Sequence, residues 1–143
     1  MKILYKLKDY KETFKFEREH PKELRWDDKY KLYMLTQEDK FQGIWLVDRS
    51  EIVAEILFSW ESDNVAHIDS FTVLPAFQGK GLGYKIVRAG LEWAKEFGFK
   101  HVTGEARKGK SWHIFENLGA TPVVLHVNWG GTGEDYMFFK MDL

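Results

Sequence analysis

Two glycine-rich turns and one pair of strand side chains are the places where this sequence could do chemistry. The first turn is Gln78-Gly79-Lys80-Gly81-Leu82-Gly83. Its three glycines leave successive backbone N–H groups open at the start of a helical run, a ready site for phosphate or pyrophosphate. The second, Gly104-Glu105-Ala106-Arg107-Lys108-Gly109-Lys110-Ser111, satisfies G-x-x-x-x-G-K-[ST], the phosphate-cradling loop of nucleotide triphosphatases. It ranks behind the first. Triphosphatase folds need several parallel strands and a Mg²⁺-binding aspartate at a later strand end, and only a short helix and an apparent hairpin follow Ser111. The side-chain pair is His67 and Asp69, two residues apart on the run that leads into the first turn. Strict strand alternation would place both on one face.

Val73, Pro75, Gln78, Gly81 and Gly83 spell V-x-P-x-x-Q-x-x-G-x-G. This run resembles the acyl-CoA-binding motif of the GNAT superfamily of N-acyltransferases at every position, with a strand before it and an amphipathic helix after it. The resemblance implies an α/β fold of the α+β kind, with a mixed, mostly antiparallel sheet and helices on both faces. It implies that the strand ending at Val73 and the strand ending near Thr103 splay apart, with the pantetheine arm in the gap. It further implies acetyl-CoA as cosubstrate, held without a metal by Phe71, Thr72 and Val73 of the strand and by Gln78, Gly79, Lys80, Gly81, Leu82, Gly83 and Tyr84 of the turn. The expected activity is direct transfer of an acetyl group to a primary amine on a small molecule, peptide or protein. A non-catalytic acyl-CoA-binding module on the same fold is the alternative.

Such a transfer has three requirements. A free alkylamine titrates near ~10.4, so removing its proton at pH 7 costs on the order of 4 to 5 kcal/mol, and a general base lowers that barrier. In the family a carboxylate on this strand often serves. His67 resembles in position the residue used by the histone-acetylating branch, where glutamate is usual; an imidazole departs from that pattern but titrates in the right range. His67 and Asp69 are the candidate catalytic residues. The carbonyl oxygen would be met by a backbone N–H near Thr72 or Val73, as the resemblance implies. The leaving thiol, with a pKa of ~8.5, departs readily. The family usually places a tyrosine in a short Tyr-Glu-Lys-Leu-Gly-Phe-like run to protonate it. Here the run is Phe115-Glu116-Asn117-Leu118-Gly119-Ala120, without that hydroxyl, and Lys108 stands where asparagine is common. Ser111, His113, Tyr136 or solvent would then supply the proton, or turnover is lost. Trp112 and Phe115 read as core. Lys80 is the best placed of Lys80, Lys85, Lys108 and Lys110 to meet CoA phosphates. Trp26, Tyr30, Tyr33, Trp60 and Trp129 are candidates for the acceptor side, with core packing the competing role.

Elements must hold these groups in place. Met1–Lys8 alternates weakly, as a first strand would. Asp9–His20 reads as helical, and His20-Pro21 breaks it. Trp26–Gln37 has apolar residues at helical spacing and acidic residues near its start; Gln42-Gly43 ends that pattern. Ile44–Val47, Ile52–Trp60 and Val65–Val73 form a strand meander with turns at Asp48–Ser50 and Glu61–Asn64. Pro75 stops the third strand, Leu82–Phe97 follows as a helix, and Gly98 sits where a left-handed cap is wanted. Phe99–Gly104 completes a strand–helix–strand crossover, which requires two parallel strands. Ser111–Leu118 is a short helix, and Val123–Trp129 and Tyr136–Met141 are strands joined by Gly130-Gly131-Thr132-Gly133.

With 143 residues and no visible linker, the chain reads as one domain over 1–143. Its formal net charge of −1 gives no electrostatic case for nucleic acid. No apolar run approaches the ~18 residues of a membrane span, so no membrane role is expected. A cytoplasmic location is the default expectation, and a homodimer is compatible with the sequence. The absence of cysteine excludes disulfides, thiolate metal sites and a cysteine acyl-enzyme.

Overall fold

Alternation along two long strands separates the two cores of the molecule. The computed structural model describes residues 1–143. Its strands are β1 (Lys2–Leu4), β2 (Phe41–Asp48), β3 (Glu51–Trp60), β4 (Val65–Val73), β5 (His101–Arg107), β6 (Thr121–His126) and β7 (Tyr136–Asp142). The α-helices are α1 (Asp28–Leu35), α2 (Leu82–Phe97) and α3 (Trp112–Asn117), and a 3₁₀ segment covers Tyr10–Glu19. The strands form one sheet in the order β1-β2-β3-β4-β5-β7-β6, antiparallel except for β4 and β5. No helix is long and apolar enough to cross a membrane.

Ile44, Leu46, Ile56 and Phe58 face α2 and α3 and belong to the larger core with Ile86, Val87 and Phe115. Trp45 and Leu57 point the other way, into a smaller core closed by Phe16, Met34 and Leu35 of the N-terminal helices. Helices therefore cover both faces, as the period-two pattern requires. On this second face three buried charges meet. The Lys31 ammonium donates to Thr13 O at 2.9 Å and to Glu17 Oε1 and Glu55 Oε2, both at 3.0 Å. Trp45 Nε1 donates to the other Glu55 oxygen and the Trp26 N–H to the other Glu17 oxygen. Every donor of the ammonium is used, which is what allows a lysine to be fully buried.

Several boundaries differ from the sequence reading. The segment after Asp9 is 3₁₀, not α. Strand β2 begins at Phe41 and runs through Gly43, where a Cβ would stand 2.2 Å from the Trp45 indole; the glycine makes room for that ring instead of ending an element. β5 extends to Arg107. β6 stops at His126, and Trp129 lies in a 3₁₀ turn, Trp129–Gly131, preceded by the left-handed Asn128. The β2–β3 turn is a two-residue hairpin with Arg49 and Ser50 both at positive φ.

Candidate active site

Between β4 and β5 the sheet opens. The two strands pair only over Val65–His67 and His101–Thr103. Beyond that, β4 stays with β3 to Val73 and β5 with β7 to Arg107, so a wedge separates them. A bulge sharpens it: Leu57 pairs with Ser70 and Phe58 with Ile68, leaving Asp69 without a partner on β3. Before the bulge Ala66 and Ile68 face the α2 core; after it Phe71 and Val73 do. Alternation thus breaks between Asp69 and Ser70, past the His67–Asp69 pair, and Asp69 stays close enough to His67 to feel its charge.

The bulge places the Asp69 carboxyl in the wedge with one oxygen, Oδ2, buried and without a hydrogen-bond partner. Burial pushes this carboxyl up to about 6; the Ser59 hydroxyl and the nearby His67 oppose the rise, and Glu105 adds to it. Across the wedge on β5, burial also raises Glu105, against His67 and His126. His67 Nδ1 is hydrogen-bonded to Thr103 Oγ1 at 2.8 Å where the parallel pairing ends. On the face away from α2, His20 Nε2 lies 3.0 Å from both Ser70 Oγ and Thr72 Oγ1. Burial depresses His20 to about 4, so its ring is neutral at pH 7.

At the top of β4 the chain turns through Pro75–Phe77, and Gln78 Nε2 donates to Val73 O at 2.9 Å, bracing the turn against the strand end. Gly79 and Gly81 have φ of 76° and 78°, which only glycine adopts without strain. Gly81 is the N-cap of α2 and supplies no side-chain cap, so the first-turn N–H groups of this 16-residue helix face outward with the positive end of its dipole. Gly83 serves a different purpose: a Cβ there would stand 2.8 Å from Ile114 Cδ1. It lets α3 approach α2.

One cleft of about 930 Å³ joins these features. It runs from the glycine turn, through the wedge, to a chamber on the second face walled by Leu24, Trp26 and Tyr136. Asp69 lines it, and so do Phe71, Thr72, Val73, Gln78, Gly79, Gly81, Leu82, Gly83 and Tyr84. His67 and Lys80 do not; the Lys80 ammonium lies over the Phe77 ring, 5.4 Å from its centroid. The Tyr84 hydroxyl accepts from Asn117 Nδ2 at 2.7 Å. Phe115 is buried, stacked on Phe139 at 4.6 Å and edge-on to Phe71 at 5.5 Å. Of the five aromatics expected on the acceptor side, Trp26 alone lines the cleft. Tyr30 and Tyr33 are exposed, Trp60 packs with Trp93 and Phe99, and Trp129 packs on His126 and Phe138.

The rival phosphate loop is not formed. Gly104 lies inside β5, where a Cβ would meet Phe139 at 2.8 Å, and the helix after Ser111 has six residues. β5 has one parallel neighbour, whereas a triphosphatase sheet needs several. The sequence reading met His20 only as the end of a helix, and Glu105 and Arg107 only as parts of that loop. Alternation along β5 was the available signal for Glu105 and Arg107. For His20, whose partners are 50 and 52 residues away, there was none.

The sequence model of the acetyltransferase (GNAT) family matches residues 5–120. No curated protein matches the chain significantly. Among solved structures, the chain is similar to Ard1 from Thermoplasma volcanium, with 16% identity, a TM-score of 0.85, and coverage of 99% of this chain and 97% of that one. It is similar to the ribosomal-protein-S18-alanine N-acetyltransferase from Escherichia coli at 16% identity and a TM-score of 0.82, covering 99% and 92%. It is also similar to a GNAT family acetyltransferase from Elizabethkingia anophelis with acetyl-CoA bound, at 13% identity and 0.79, covering 99% and 97%. At these identities the likeness concerns the fold.

Proposed function

The chain belongs to the acetyltransferase (GNAT) family, and on that premise we propose that residues 1–143 transfer the acetyl group of acetyl-CoA to a primary amine by direct attack. The observation that carries this reading is the continuous cleft. It links an uncapped helix N-terminus, suited to a diphosphate, to a wedge in the sheet and then to a buried, partnerless carboxylate oxygen. The residues present fit acetyl-CoA: Gly79, Gly81 and the first turn of α2 would hold the diphosphate through backbone N–H groups, and the space beside both glycines is open.

Acetyl-CoA supplies an activated thioester. Asp69 is the group we assign to take the proton from the amine. Its elevated pKa of about 6 leaves it ionised at pH 7 yet brings it closer to the amine in basicity than an ordinary carboxylate. His67 ranks second, because its ring is engaged by Thr103 and stands outside the cleft wall. On β4 beyond His67, the backbone groups directed away from β3 have no strand partner, and an N–H near Thr72 or Val73 would meet the carbonyl oxygen as charge builds on it. No acid is required of Phe115, since a thiolate leaves without one. Tyr136 lines the cleft and keeps its proton, as burial raises its hydroxyl above the ordinary value; Arg107 Nε donates to that oxygen at 3.1 Å.

The acceptor is an amine-bearing small molecule or a peptide N-terminus. The second is supported by the E. coli neighbour, which by name acts on the alanine of a ribosomal protein. The missing hydroxyl at Phe115 favours one further reading, an acyl-CoA-binding module without turnover. The test is incubation with acetyl-CoA and a panel of amines and alanine-led peptides, following thiol release and the mass gain of one acetyl group. Amine-dependent thiol release supports transfer; acetyl-CoA binding with no release supports the module.

A further inference from the structure

The wedge between β4 and β5 is bridged from outside by a short stretch of the N-terminal region. Where strand-to-strand hydrogen bonding has ended, each strand instead holds the same segment, Glu19–Arg25. From β4, the Ser70 and Thr72 hydroxyls meet His20 Nε2, each at 3.0 Å. From β5, Arg107 Nη2 donates to Glu19 O at 2.8 Å. The two anchor points are adjacent residues, so the fastening spans the gap. The segment is also closed on itself: Arg25 Nε donates to His20 O at 2.7 Å and Arg25 Nη2 to Arg18 O at 3.1 Å. Pro21 stiffens its middle. Leu24 reaches the turn before β7, lying where a Cβ on Gly130 would be 3.3 Å away. Leu24, and Trp26 just past the segment, form the chamber wall opposite Tyr136.

We propose that Glu19–Arg25 is a strap that sets the size of the acceptor chamber, and that His20 is the positioning residue fastening it to β4. This rests on the acyltransfer reading above. The hydrogen bonds involved join the strap to the two splayed strands and to nothing in either hydrophobic core. Loss of the His20 fastening should therefore release the strap and leave the fold intact. The strap also limits what can enter. An amine on a slender apolar stem fits beside Leu24 and Trp26, whereas a lysine on a folded protein surface would have to displace the strap.

The experiment compares wild type with His20→Ala and His20→Gln. A glutamine amide reaches roughly where Nε2 stands and can meet both hydroxyls. Lys22 and Arg25 are exposed trypsin sites within the strap. The expected result is that His20→Ala is cut there about fivefold faster at an unchanged melting temperature, because local opening becomes more frequent. With phenethylamine as acceptor, His20→Ala should raise KM about tenfold and lower kcat far less, the pattern of lost binding that is uniform across ground and transition states. His20→Gln should return both readouts toward wild type. The proposal is overturned if His20→Ala changes neither cleavage nor KM, if it lowers the melting temperature and kcat together, or if glutamine restores nothing. If wild type does not turn over phenethylamine, the small-amine reading fails, and the strap is then judged on cleavage and its rescue by glutamine alone.

Discussion

Replacing Asp69 with asparagine should make the protein more stable and far less active. The native carboxyl has been lifted from 3.8 to about 6, mainly by burial. The folded state therefore binds a proton that the unfolded chain has already released between those two values, and the stability of the wild type falls as pH rises through that window. The full cost of holding the charge is about 3 kcal/mol at ~1.36 kcal/mol per factor of ten. Roughly half of it is already present at pH 5, so the stability gap between Asp69→Asn and wild type should widen by ~1.4 kcal/mol from pH 5 to pH 8. For a chain of this length that is a relative shift of about 3 to 6 °C in melting temperature. Asparagine keeps the shape and leaves the same buried position without a partner, so hydrogen-bond losses nearly cancel between the two proteins. Thermal melts at both pH values check the stability side. On the activity side, wild-type kcat/KM should rise with pH through about 6 and then flatten. Glu105, whose carboxyl is also raised by burial, faces Asp69 across the wedge, so the apparent midpoint belongs to the two carboxyls together. The variant should lose at least ~100-fold at pH 7. A stability gap that stays constant with pH, or a variant with wild-type turnover, would refute the assignment of Asp69 as the buried base.

Phe115→Tyr should change turnover little, since the ring is packed between Phe71 and Phe139 and a thiolate leaves unaided; a rise of about tenfold, ~1.4 kcal/mol of barrier, would show that thiol protonation limits the rate. Lys31→Met should destabilise the fold by ~3 to 5 kcal/mol in urea unfolding, because it leaves Glu17 and Glu55 buried without their cation. Adding Glu55→Gln should recover part of that loss, and a single-variant loss below ~1 kcal/mol would mean that water reaches the site.

What could be read in the sequence was local, and what could not be read was the meeting of distant parts. The limits of β4, the Pro75 stop, the start of α2 and its Gly98 cap follow from residues within a few positions of one another, and they stand where the pattern put them. The glycine turn was legible for the same reason. The bulge at Asp69 was not, because it is a mismatch in register against β3 and leaves no mark in the β4 sequence alone. Nor was the Lys31 cluster, whose members are drawn together from the 3₁₀ segment, α1 and β3; in sequence each is an ordinary charge on an amphipathic element. Trp45 and Gly43 misled in the opposite direction. A glycine that admits a ring looked like a break. His20 read as the end of a helix, and its role depends on two hydroxyls 50 and 52 residues away.

The most direct test of the central claim is calorimetric titration of acetyl-CoA into wild type and into Gly81→Glu, without added metal. Gly81 is the N-cap of α2 at φ 78° with open space beside it. Glutamate there places a negative charge at the proposed diphosphate site and strains the turn, while no neighbouring side chain is displaced. Wild type should bind one acetyl-CoA per chain, and the folded variant should show no measurable binding. Equal affinity in a folded Gly81→Glu protein, or no binding by wild type, would contradict the assignment of this turn and the acyltransfer built on it.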